Sequence, residues 1–264
     1  MNILDKIIAH KIEEVTTKKE AFPIIQLEKS HYFNAPTVSL KDYLLRPDKS
    51  GIIAEFKRHS PSKGDINTHS SAAIVTRGYA SAGASGLSVL TDNRFFKGTN
   101  EDLTEARQFN ETPILRKDFV IDEYQILEAK SIGASAILLI AECLSQKKLG
   151  ELATFAKSLG LGVLMEIHSE KELEKLHKNI DIVGVNNRDL TTFEVNIQTS
   201  IDLFNIIPDD FVKISESGIS NPQSIIQLKE VGFQGFLIGE AFMKTKAPVK
   251  ACQAFIQAIM DVPV

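Results

Sequence analysis

Cysteine is scarce in this 264-residue chain: Cys143 and Cys252 are the whole complement, too few for a disulfide framework, and neither stands at metal-ligand spacing to a histidine. A reducing compartment is the expectation. Histidine is also sparse, and His10, His31, His59, His69, His168 and His177 form no HxxxH or HExxH pair, so no metal is expected. Positive charge is not in excess. Thirty Lys and Arg against 34 Asp and Glu leave a formal charge of −4, without the surplus that neutralising nucleic-acid phosphates demands. Long apolar runs are missing too, with nothing near the roughly 20 residues of a membrane span. The N-terminal MNILDKIIAHKIEEV breaks its apolar residues with charges, so it has neither the apolar core nor the cleavage site of a signal peptide. The expected location is the cytoplasm, with no membrane or nucleic-acid partner. The signatures GxGxxG, GxxxxGK[ST] and GxSxG do not occur, and no cofactor is expected. With 43% apolar and 24% charged residues, disorder and a disulfide-stapled miniprotein are both excluded.

What is present is a rhythm. Eight short β-branched runs begin near Gly51, Gly86, Pro113, Ala136, Gly162, Asp181, Phe211 and Gly235. Each is continuously apolar rather than alternating, the pattern of strands buried on both faces of a parallel sheet. The intervening segments read as single helices. Asp122–Gln125 and Ser169–Glu172 have the capping-box form, and Asn221-Pro222 sets a cap residue before a first-turn proline. Gly133, Gly160 and Gly232 follow helical stretches, where a left-handed terminator is usually glycine. Eight such units close naturally into a (β/α)8 TIM barrel, with an eight-stranded doubly wound sheet as the alternative. The residues before the first strand carry a helix of their own, with Ile3, Leu4, Ile7, Ile8, Ile12 and Val15 at helical spacing, expected to lie across one end of the barrel. No linker or charge block divides the chain. Residues 1–264 are therefore expected to form one domain, of which 1–45 is the N-terminal helical extension, with room for one barrel only.

Barrel enzymes build their sites from the C-terminal ends of the strands, and the ends of these runs are densely polar. They read Glu55-Phe56-Lys57, Arg116-Lys117-Asp118-Phe119, Met165-Glu166, Asn186-Asn187-Arg188 and Ser215-Glu216-Ser217-Gly218. Charges crowded at one mouth are expected to tune lysine pKa values down and glutamate values up. Ser217-Gly218-Ile219 and Ile238-Gly239-Glu240 place a glycine after the last two strands, and Ala241-Phe242-Met243 can form a short helix aimed inward, the layout of a barrel phosphate site. Phe56, Phe95, Phe96 and Phe119 fall near the same mouth, either as core or as a wall for an aromatic substrate. His168 is either a neighbour of Glu166 or a solvated loop residue, and Cys143 reads as a small apolar filler.

The stretches IIAEFKRHSPSKGDI, LSVLTDNRFFKG, PILRKDFVIDEYQI, LMEIHSEKEL, GVNNRDL, ISESGIS and FLIGEAFM, in this order across residues 51–243, resemble the indole-3-glycerol phosphate synthase family. The resemblance implies a cofactor-independent carboxy-lyase of tryptophan biosynthesis. Its substrate would be a small phosphorylated anthranilate–ribulose conjugate, 1-(2-carboxyphenylamino)-1-deoxyribulose 5-phosphate, converted to indole-3-glycerol phosphate with release of carbon dioxide and water. By position, the resemblance implies that Lys117 is the acid at the substrate ketone, Glu166 an acid/base partner and Glu55 an orienting carboxylate. Lys57 and Ser60 would handle the anthranilate end, and Asn186 and Arg188 the ribulose hydroxyls and carboxylate. Phe96, Phe119 and Leu138 would form the wall against the benzene ring, and Ser217, Gly218, Leu237 and Gly239 the phosphate cradle. Some relatives carry a small hydroxyl residue where this chain has Glu240, so only the backbone N–H of Glu240 is expected to help there, or its side chain to point away. A monomer with at most weak self-association is expected. Two other readings are a phosphoribosylanthranilate isomerase-like barrel, disfavoured because the first strand carries Glu55 and Lys57 and no cysteine, and a catalytically dead binding subunit, disfavoured by retention of both lysines and both glutamates.

Overall fold

The computed structural model of the chain describes residues 3–189 and 192–260, so residues 1–2 of the extension, Leu190 of the GVNNRDL stretch and residues 261–264 lie outside the description. The eight runs are eight strands: β1 (Ile52–Phe56), β2 (Gly86–Leu90), β3 (Ile114–Lys117), β4 (Ala136–Ile140), β5 (Gly162–Ile167), β6 (Ile182–Asn186), β7 (Val212–Glu216) and β8 (Gly235–Ile238). Each pairs in parallel with its neighbours in sequence. Because β1 bonds to both β2 and β8, the sheet closes on itself, and the doubly wound alternative falls away. Alternation along the strands then sorts the side chains into two apolar cores. Ile53, Leu115, Leu138, Leu164, Ile182, Ile214 and Leu237 fill the barrel, whereas Ile52, Ala54, Ile114, Ile137, Val163, Val183 and Phe236 face the surrounding helices.

Most of the helix punctuation is as the sequence implies. Asp122 and Gln125 form a reciprocal capping box, Asn221 caps a helix with Pro222 in its first turn, and Gly133, Gly160 and Gly232 all adopt positive φ. Ser169 does not cap. Residues Glu170–Lys175 form only a 3₁₀ turn, and the Glu172 carboxylate accepts the backbone N–H of His168 at 2.6 Å instead of joining a capping box.

The extension covers both ends of the barrel rather than one. Its first helix, α1 (Ile3–Ala21), runs over the C-terminal mouth, where Ile3, Leu4 and Ile7 line the cavity. A later short helix, Leu40–Leu44, plugs the opposite end, with Leu40 and Leu44 joining the interior core. Glycine makes room for that plug: a Cβ on Gly86, the first residue of β2, would lie 2.5 Å from Leu40 Cδ1. On α1 the buried face is Leu4, Ile7, Lys11 and Val15, and Ile12, expected on that face, is 55% exposed. Lys11 sits at the centre of the buried face because its ammonium is fully paired, to Glu14 and Asp92 at 2.8 Å each and to Asp118 at 3.0 Å. Asp118 also pairs with Arg116 at 3.1 Å, and the Arg116 guanidinium donates further to Thr91, Gln125 and Glu128. Among the described residues, no helix is long and apolar enough to cross a membrane.

Candidate active site

A cavity of about 510 Å³ opens at the C-terminal ends of the strands, within the range that holds small organic ligands. All fifteen residues singled out from the sequence line it. They arrive there for one reason: odd and even strand positions face opposite ways, and Glu55, Lys117, Glu166, Asn186 and Glu216 each continue the inward-facing row of their strand. The loop after β1 brings Ser60 over the rim through a small antiparallel ladder, His59–Ser60 against Gly64–Asp65. That loop is anchored from outside by the Arg58–Asp102 pair and by His59 Nδ1, 2.8 Å from the Phe95 carbonyl.

Two ion clusters line the cavity. In the first, Lys57 Nζ lies 2.7 Å from Glu55 Oε1, and Ser88 donates to the other Glu55 oxygen at 3.2 Å. In the second, Lys117 Nζ lies between two carboxylates, 2.7 Å from Glu166 Oε2 and 2.8 Å from Glu216 Oε2. Asn186 Nδ2 donates to the remaining oxygen of Glu166 at 3.1 Å, and its own Oδ1 accepts the backbone N–H of Arg188. The electrostatics depart from the expectation that lysine falls and glutamate rises. Burial alone would lower the Lys117 pKa, but Glu166, Glu216 and Glu55 outweigh it and hold the ammonium firmly protonated. Burial would raise Glu166, yet Lys117, His168 and the Asn186 hydrogen bond keep it ionised. Only Glu216 moves in the expected direction, pushed up by burial and by the nearby Glu166 and Glu55 charges against the pull of Lys117. Its second oxygen, Oε1, is buried without a hydrogen-bond partner.

At the β7–β8 side, Ser217 and Gly218 both adopt positive φ, +67° and +73°, and Asn187 Nδ2 fixes this turn by donating to the Ser217 carbonyl. A serine held in that region costs on the order of 1 kcal/mol or more, and such strain tends to cluster at functional sites. Gly239 N-caps the short helix Glu240–Met243. The glycines, however, are small for reasons other than approach of a ligand. A Cβ on Gly218 would lie 2.1 Å from Val195 Cγ1, and one on Gly239 would lie 2.6 Å from Glu55 Oε1, so Gly239 leaves room for a site carboxylate. Of the two alternatives for Glu240, a side chain pointing away is not the one seen. Its side chain lines the mouth and is compensated by Arg188 at 3.6 Å and Lys63 at 3.8 Å.

The aromatic expectation holds in part. Phe96 and Phe119 pack with ring centroids 6.0 Å apart and line the cavity with Leu138, but Phe56 is buried in the outer core and Phe95 packs edge-on against His10. Glu216 is the principal residue that sequence reasoning left without a role. A signal for it existed. Gly184 lies within β6, and a glycine inside a strand often marks a close approach; a Cβ there would sit 2.2 Å from Glu216 Oε1. Lys63, Lys244 and the α1 residues Ile3, Leu4 and Ile7 also line the cavity without having been singled out.

A closed (β/α)8 barrel whose mouth holds paired lysines and glutamates beside a glycine-rich strand end defines the class: a barrel enzyme working by acid–base chemistry. Comparison narrows this. Residues 4–255 match the family model "Indole-3-glycerol phosphate synthase". The chain is 48% identical over 258 residues to the indole-3-glycerol phosphate synthase of Bacteroides thetaiotaomicron, covering 98% of this chain and 99% of that one. It is 42% identical over 254 residues to the enzyme of Burkholderia vietnamiensis, covering 94% and 96%. The chain belongs to the indole-3-glycerol phosphate synthase family. Among solved structures, the tryptophan synthase α subunit of Legionella pneumophila aligns at TM-score 0.63 and 14% identity, covering 84% of this chain and 97% of that one. A chain of the Pyrococcus furiosus tryptophan synthase complex aligns at 0.59 and 15%, covering 81% and 99%. At that identity they bear on the barrel fold alone.

Proposed function

We propose that this mouth is where the chain, as a carboxy-lyase of its family, closes the indole ring of 1-(2-carboxyphenylamino)-1-deoxyribulose 5-phosphate. The observation that carries the reading is Lys117, a buried ammonium held between Glu166 and Glu216 and lining one cavity together with the Lys57–Glu55 pair. Ring closure puts charge on the substrate's ketone oxygen as the aromatic carbon attacks. A developing alkoxide is a stronger base than an amine, so even a firmly protonated Lys117 gives up its proton as the carbon–carbon bond forms. Lys57 pairs with the substrate carboxylate until that group departs as carbon dioxide and its bonding electrons restore the aromatic ring. Loss of water follows: a second proton reaches the former ketone oxygen, and one proton leaves the carbon beside nitrogen. Glu166 and Glu55, both lining the cavity, serve these transfers. Phe96, Phe119 and Leu138 form the wall against the benzene ring, Ser60 holds the anthranilate end, Asn186 and Arg188 hold the ribulose hydroxyls and the carboxylate, and Ser217, Gly218, Leu237, Gly239 and Glu240 surround the phosphate, Glu240 with its charge compensated by Arg188 and Lys63.

With the substrate carboxylate ionised, two protons enter and one leaves, so each turnover consumes one proton from solvent. The cytoplasm is the proposed location. The test is incubation of the purified chain with the substrate, following indole fluorescence. Equimolar appearance of indole product and carbon dioxide is expected, and no product from a folded chain would refute the reading.

A further inference from the structure

Beside the site, on its solvent side, stands a histidine with no settled partner. His168 follows β5 two residues after Glu166, and both of its ring nitrogens are buried without a hydrogen bond. Buried polar atoms left unpaired are uncommon and ask for an explanation. Nε2 lies 3.6 Å from Glu166 Oε1, while Nδ1 lies 3.8 Å from Glu142 Oε2 and 3.9 Å from Glu172 Oε2. These gaps are one slight ring movement, or one bridging water, from hydrogen bonds. The two carboxylates on the Nδ1 side differ in kind. Glu172 is buried and already accepts the His168 backbone N–H at 2.6 Å, whereas the Glu142 side chain is 37% exposed and meets solvent. Burial, with the charges of Glu172, Asp189 and Glu166 and against the pull of His168, raises the Glu142 pKa and helps it accept protons from water.

We infer that His168 is a positioning residue that relays protons from solvent-facing Glu142 to Glu166. The inference rests on the proposed reaction, which consumes one proton per turnover in a mouth roofed by α1 and the β1 loop. The step balances. Nδ1 accepts a proton from the Glu142 carboxyl, Nε2 releases one to Glu166 Oε1, and the Glu166 carboxyl passes a proton from Oε2 to the Lys117 amine left when that side chain gave its own proton to the substrate, restoring the ammonium. Return of the imidazole to its starting tautomer resets the relay, and no redox partner is involved. Among the described residues, the charged groups paired with the ring are Glu142 from the turn after β4, Glu166 from β5 and Glu172 from the following turn, with Asp189 after β6 acting through Glu142.

The test compares wild type, His168→Asn and Glu142→Gln in dilute, weakly proton-donating buffer. His168→Asn should lose roughly tenfold or more in kcat with KM nearly unchanged, and added imidazole should restore it while leaving wild type unaffected. Glu142→Gln should lose less, and the double variant should be no worse than His168→Asn, since both act on one path. A purely packing role would change KM or stability and would not respond to imidazole. His168→Asn within about twofold of wild type, or a defect that imidazole leaves untouched, overturns the relay. Wild-type inactivity would overturn the functional reading with it, so the two failures are distinguishable.

Discussion

Arg116, Lys117 and Asp118 are consecutive, yet they serve two different buried ion clusters. Arg116 and Asp118 face outward with Lys11, Glu128 and Thr91, and Lys117 faces inward with Glu166 and Glu216. In the outward cluster, Arg116 makes five hydrogen-bonding contacts. In the inward cluster two carboxylates share one ammonium, Glu216 keeps an oxygen unpaired, and a cavity lies open beside them. Dense pairing of this kind fixes structure, although even there Asp92 Oδ2, 2.8 Å from the Lys11 ammonium, makes no hydrogen bond of good geometry. Pairing that is incomplete leaves a proton and a vacancy for a substrate, at a cost in stability that the rest of the fold must carry.

The largest expected effect breaks the inward cluster at its centre. Lys117→Met should lower kcat by ~10²- to 10⁴-fold, the usual loss for a positioned acid, while substrate affinity stays close to wild type. Steady-state kinetics by indole fluorescence reads both, and activity within a few-fold of wild type would remove Lys117 from the acid role. Next comes the outward cluster. Lys11→Met leaves Asp92 buried without its cation and Asp118 with Arg116 alone, and should cost about 3–5 kcal/mol of stability by denaturant titration, with kcat changed only a few-fold where the protein remains folded. This cluster also sets the acid limit. Burial opposes ionisation of Asp118, but Lys11 and Arg116 outweigh it and depress its pKa. Its contribution is therefore fully present above the ordinary aspartate value of about 4 and is lost as pH falls below it towards the folded value. Wild type should lose stability on acidification through that window, and Lys11→Met should lose less because much of the contribution is already gone.

The smallest effect has the opposite sign. The Glu216 pKa is raised to about 7 in the folded state, so its ionisation costs stability, a loss that builds as pH rises from the ordinary glutamate range to about 7 and is complete above it. Glu216→Gln should accordingly gain on the order of 1 kcal/mol at slightly alkaline pH while losing about tenfold in kcat. Thermal unfolding at two pH values, paired with kinetics, checks both halves. A variant that loses stability would place Glu216 with the structural cluster instead.

These contrasts were unevenly legible beforehand. Of the fifteen residues given roles, Glu55, Lys57, Lys117, Glu166, Asn186, Arg188, Ser217, Gly218, Gly239 and Glu240 could be found because motifs at the strand ends of a parallel barrel converge, whereas Ser60, Phe96, Phe119, Leu138 and Leu237 were given roles only by the family resemblance. Glu216 stood within the same motif, but its function depends on touching Lys117 from four strands away, and only the glycine at 184 hinted at the space it needs. Lys11 was hidden by a good rule. A lysine in an amphipathic helix normally faces water, so the apolar set at helical spacing took in Ile8 and Ile12 and passed over Lys11.

By itself the sequence determined the barrel, its punctuation and the list of groups at the mouth, because buried parallel strands, helix caps and strand-end motifs are local patterns with one common way to assemble. Tertiary structure alone decided which charges are saturated and which are left reactive. Pairing distances, the direction of each pKa shift, the packing of α1 over the mouth and the placement of His168 between Glu166 and solvent all depend on contacts between residues far apart in the chain. Coulombic and desolvation energies depend on those separations and on burial, which residue order does not specify.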